Sequence, residues 1–92
     1  MADIRVQRLN DTQFRVEIHE GASRTIHTVT ANVDDLQRYG GDVQPETLIE
    51  KSFEFLLERE PKESILRTFD LPVIEQYFPD YPNAIRLGLA QQ

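Results

Sequence analysis

Ile4, Val6, Phe14, Val16 and Ile18 stand two apart on either side of the turn signal Asn10-Asp11-Thr12. Period two places all five on one face of a pair of strands. Folding the chain back about Asp11 sets Ile4 opposite Ile18, Val6 opposite Val16 and Arg8 opposite Phe14. A slip of one residue would turn every apolar side chain to the other face, so the register is tightly specified. The second face carries Arg5, Gln7, Arg15, Glu17 and His19, a composition suited to water. A lone hairpin is marginal, so whatever follows must cover its apolar side.

A second turn, Glu20-Gly21-Ala22-Ser23, leads into the β-forming run Arg24 to Thr30. Alternation is poor there. Val16 opposite His27 and Ile18 opposite Ile26 are both acceptable registers, and the sequence leaves both open. The cover comes from helices. Asn32 is placed to cap a short helix with acids in its first turn, Val33 and Leu36 on one side, and Gly40-Gly41 as its stop. Pro45 suits the first turn of the next helix. Ile49, Phe53, Leu56 and Leu57 form its apolar stripe, and Leu48, Ser52 and Phe55 widen it. So broad a face predicts burial on two sides. Pro61 ends that helix. A short helix is expected over "PKESILRTF", with Ile65, Leu66 and Phe69 apolar. Another is expected over "LPVIEQYF", capped by Asp70, with Val73, Ile74, Tyr77 and Phe78 on one face. Pro82 opens a last short turn around Ile85, and the closing Leu-Ala-Gln-Gln is expected to fray.

With 92 residues and 39 % hydrophobic content, the chain is one domain with one modest core. Dimerisation is a common way for so small a domain to complete its core. The absence of cysteine removes disulfides, thiolate zinc sites and a thiol nucleophile, and fits a reducing cytosol. The charged N-terminal residues do not read as a signal peptide, and no apolar run approaches the length of a membrane span. Net charge is −6 and unevenly placed: residues 1–30 balance, whereas residues 31–80 hold twelve acids and five bases. That acidity opposes long-range attraction to nucleic acid and to anionic membranes.

No catalytic constellation stands out. Asp34-Asp35 lies where acids stabilise a helix N-terminus. Ser23, Ser52 and Ser64 lack a nucleophile elbow, and no phosphate-cradling glycine loop is present. His19 and His27 lack a third ligand with consistent facing. No cofactor and no metal are expected, and the chain reads as a non-enzyme.

Two resemblances exist. The order strand, short helix, turn, longer helix over Thr25 to Glu58 is similar to the ribbon-helix-helix repressors and antitoxins. That likeness implies a DNA-binding dimer whose Arg24 to Thr30 strands enter the major groove. The segment "LIEKSFEFLLEREPKESILRTFDLPVIEQYFPDYP", Leu48 to Pro82, resembles a widespread family of short uncharacterised prokaryotic proteins. It implies a compact, self-standing cytosolic domain and carries over no functional residue.

The expected fold is α+β: an N-terminal three-stranded antiparallel meander packed against three to five short C-terminal helices. The expected function is a protein-binding or adaptor module, open to self-association, with the ribbon-type DNA regulator as the alternative. Its expected contacts are Arg5, Arg15 and Arg24 on the solvated strand face and Tyr77 and Tyr81 in the aromatic segment, with strand addition at the meander edge as a second route.

Overall fold

The computed structural model describes residues 2–90. Four strands and four helices follow one another as β1 (Asp3–Arg8), β2 (Gln13–Glu20), β3 (Ser23–Thr30), α1 (Val33–Gly40), α2 (Pro45–Leu57), β4 (Thr68–Asp70), α3 (Val73–Tyr77) and α4 (Tyr81–Ala90). The sheet order is β1-β2-β3-β4. Its first hairpin has the expected register, with Ile4 opposite Ile18, Val6 opposite Val16 and Arg8 opposite Phe14. The Asn10 side-chain oxygen accepts the N–H groups of Thr12 (2.9 Å) and Gln13 (3.0 Å), which closes the turn locally.

The second turn decides the register that the alternation left open. Glu20 pairs with Ser23, so only Gly21 and Ala22 form the loop. Gly21 has φ +60°, the positive value a II′ turn requires at its first central residue. Val16 then faces His27, and the inward positions of β3 become Thr25, His27 and Val29, all buried. Ile26 is left on the outer face.

β4 corrects two expectations. The sheet has four strands rather than three, and Thr68–Asp70 is a strand rather than part of a helix. It runs parallel to β3, with Phe69 opposite Val29. Thr28 N–H donates to Arg67 O at 2.7 Å, and Leu71 N–H donates to Thr30 O at 2.8 Å. Only a 3-10 turn, Lys62–Ser64, precedes it. The helical spacing of Ile65, Leu66 and Phe69 was misleading because the unpaired edge of β3 offers these backbone groups better partners than one more helical turn. Asp70 therefore belongs to a strand and caps nothing; α3 begins after Pro72.

Asn32 caps α1 as expected. Its side chain accepts the Asp35 N–H (2.8 Å) while the Asp35 carboxylate accepts the Asn32 N–H (3.2 Å). The helix ends at Gly41: its N–H makes the last helical bond, to Gln37 O, and its φ of +61° then turns the chain out of the helix. Val33 is exposed, contrary to expectation; Leu36 and Tyr39 face inward instead.

α2 lies at the centre and buries two flanks. Phe53 packs between the His27 and Phe69 rings on the sheet side, with centroids 5.5 and 6.0 Å away. Phe55 meets Phe78 and Tyr81 on the other side, at 5.9 and 5.3 Å. Tyr81 is fully buried, its ring also 5.0 Å from that of Tyr39. Ser52 donates its only hydroxyl proton to Leu48 O (2.7 Å), so the Tyr81 hydroxyl, 2.6 Å away, donates to Ser52 Oγ. The C-terminal piece around Ile85 is a full ten-residue helix, α4, clamped by this bond. Its last residues, Leu89 and Ala90, remain helical, whereas Gln91 and Gln92 lie outside the described residues.

Candidate functional site

An apolar groove of about 190 Å³ opens between the C-terminal end of α2, β4 and α3. Leu56, Ile65, Phe69 and Ile74 form its buried floor. Leu66 and Tyr77 stand at its rim, 46 % and 67 % exposed. Val73 and Phe78 complete the apolar lining, and Glu60 and Ser64 supply polar groups.

Each wall is held by bonds far apart in sequence. His27 is fully buried, and its Nδ1 lies 2.8 Å from Leu66 O. A carbonyl can only accept, so Nδ1 carries the proton, and Nε2 accepts from the Thr25 hydroxyl at 2.9 Å. Burial, the largest influence, lowers the His27 pKa from its ordinary value; the bond to Leu66 opposes this and Arg67 adds to it. The neutral imidazole thus fixes the backbone that presents Leu66. On the other wall α3 spans five residues and needs anchoring. The Glu75 carboxylate accepts from the Tyr39 hydroxyl (2.7 Å) and from Arg38 (3.0 Å), tying α3 to α1. Burial and then the bond to Glu75 push the Tyr39 phenol up to about 12.

Glu60 differs from the other acids of this region. Burial raises its pKa, and among the described residues neither a cation nor a hydrogen-bond donor offsets that effect. Its basic neighbours in sequence face other carboxylates. Arg59 reaches Asp80 at 2.7 Å, and Lys62 reaches Glu63 and Glu20 at 2.7 and 3.1 Å.

The five residues expected from the sequence do not converge. Arg5, Arg15 and Arg24 share the outer face of the sheet, around Glu17. Arg5 stands opposite Glu17, and Arg24 lies 3.6 Å from its carboxylate. Arg5 also pairs with Asp3 at 3.0 Å, and Arg15 sits between Gln7 and Thr28. His19 approaches Glu17 at 3.5 Å without hydrogen-bond geometry. Tyr77 lies at the groove, on the side of the sheet that bears Phe69. Tyr81 is a core residue and is not available at the surface. Leu66, Phe69 and Glu60 were not singled out by sequence as contact residues, because no local pattern joins the end of α2 to β4. One signal was available: the aromatic run from Tyr77 to Tyr81, of which the structure leaves Tyr77 exposed and buries Tyr81.

A larger depression of about 540 Å³ lies between α2 and α4, with buried Phe55 and Ile85 in its lining and Lys51, Glu54, Glu58 and Leu87 around them. The groove beside α3 has four buried apolar residues in its floor, against two there. It offers one carboxylate and one hydroxyl in an apolar trough, which suits holding a side chain. Among the described residues, no cluster of three or more His, Asp or Glu is placed to hold a metal ion. None of their helices is long and apolar enough to cross a membrane. No protein-family model, curated protein or solved structure matches the chain.

Proposed function

We propose that this protein is a non-enzymatic binding module that takes an apolar side chain of a protein partner into the groove beside α3. The observation that carries this reading is the pairing of a buried apolar floor with an exposed Tyr77 and Leu66 at the rim. Aromatic side chains beside a desolvated pocket are the usual anchors of protein recognition. A trough of this volume holds one large side chain of the partner. The outer sheet face is a weaker contact surface, because Arg5 and Arg24 already face Asp3 and Glu17.

Site-specific photocrosslinking tests this. A p-benzoylphenylalanine at position 77 is expected to yield a discrete adduct in the native cell extract, and the same residue at position 15 on the outer sheet face is not. An adduct at twice the mass of the chain would make the partner a second copy. The same adducts from both positions, or none from either, would refute the reading.

The ribbon-type DNA regulator finds less support. A ribbon needs β3 free to pair with its two-fold mate, and β3 lies between β2 and β4. The net charge of −6 also disfavours phosphate contact. Retention on duplex DNA at low salt that falls steeply as salt rises would restore that alternative.

A further inference from the structure

The groove is not electrically neutral. Residues 58–80, which supply most of its walls, hold six acids and three bases. Arg59 and Lys62 are engaged by Asp80, Glu20 and Glu63, so neither is spare, and among the described residues the third base, Arg67, does not offset the burial of Glu60. Glu60 lines the groove beside Leu56 and Ile65, and among the described residues no group compensates its charge. A carboxylate partly removed from water without a partner is a standing cost. An incoming cation would remove that cost. Tyr77 presents its ring at the same rim, and an aromatic face also attracts cations.

We propose that Glu60 makes this groove selective for a partner segment in which a basic group lies next to an apolar side chain. The inference rests on the groove being a protein-contact surface, and it names the chemistry of what enters. The apolar side chain fills the space over Ile65, Phe69 and Ile74. The ammonium or guanidinium beside it meets the Glu60 carboxylate and the Tyr77 ring. An acidic segment is rejected twice, by Glu60 and by the negative body around it.

Three small probes of similar size isolate the charge: 2-phenylethylammonium, 2-phenylethanol and phenylacetate. Each is titrated into the 15N-labelled full chain, and amide shifts at Ile65, Leu66, Ile74 and Tyr77 are followed. A nine-atom cationic fragment is expected to bind with a Kd of order millimolar. The expected ranking is cation, then alcohol, then anion. Glu60→Gln is expected to weaken the cation by about two- to fivefold, the range of a solvent-accessible ion pair, and to leave the alcohol unchanged. The unperturbed spectrum of that variant checks its fold. Equal binding of cation and alcohol to the native chain would overturn the charge selectivity and leave the groove reading intact. No shift at the groove from any probe would overturn both. Groove shifts that appear on concentrating the protein without probe would assign the site to a second copy and overturn the inference.

Discussion

Truncating Phe53 tests the central packing claim most directly. Phe53 is fully buried on α2, and its ring joins His27 on β3 to Phe69 on β4. Removing the ring forfeits a transfer term of about 1.5–3 kcal/mol. A residual cavity adds to this, because α2 is held on its other flank by Phe55 and Ser52 and cannot collapse into the space. Alanine's better helix propensity returns about 0.5 kcal/mol. The net expectation for Phe53→Ala is a loss of about 3–5 kcal/mol. A domain of 92 residues holds roughly 5–14 kcal/mol in all. The variant therefore sits near the edge of stability. Urea melts followed by circular dichroism give the value. At a slope near 1.2 kcal/mol per molar, the midpoint should fall by about 3 M. Phe53→Leu, which keeps much of the volume, should cost less than half as much. A loss below about 1 kcal/mol for the alanine variant would mean that α2 does not seal the sheet at this point.

Three further outcomes follow from the same contacts. His27 has a folded pKa below its ordinary value of 6.5, so the unfolded chain takes up the proton first. Stability should be fully present above about pH 6.5 and decline as the pH falls toward the folded pKa; thermal melts between pH 7.5 and 5 should show the decline, and His27→Gln should flatten it. Tyr81→Phe removes the donor to Ser52 without emptying the core, and equilibrium unfolding should register a loss of about 0.5–1.5 kcal/mol. Gly41→Ala, at φ +61° and ψ −122° with open space around it, should cost about 1–3 kcal/mol in the same assay through backbone strain alone.

Much of the architecture was legible in residues near one another. The first hairpin could be read to the residue pair because alternation and turn chemistry agree over residues 3 to 20. The Asn32 cap, the Gly41 stop and the two-flanked α2 are equally local, set by hydrogen-bonding side chains and by the 3.6-residue repeat. Val33 escaped because a helix of eight residues gives that repeat too few turns to separate a buried position from a fringe one. Tyr81 escaped for a different reason. Beyond the stripe of Val73, Ile74 and Tyr77 it had no apparent partner, yet its partners Tyr39, Ser52 and Phe55 lie 26 residues or more away along the chain.

Local pattern is set by the chain's own repeat lengths, so the sequence by itself determined the strand pair, the Asn32-capped helix, the broad apolar face of α2 and a net charge of −6. Tertiary structure alone decided which face of β3 turns inward, that Thr68–Asp70 becomes a parallel strand, and that Glu60, Leu66 and Tyr77 share one groove. Those outcomes rest on bonds such as His27 to Leu66, spanning 39 positions. No window of neighbouring residues contains both partners, and the energy of such a bond appears only when the rest of the fold has brought its two groups together.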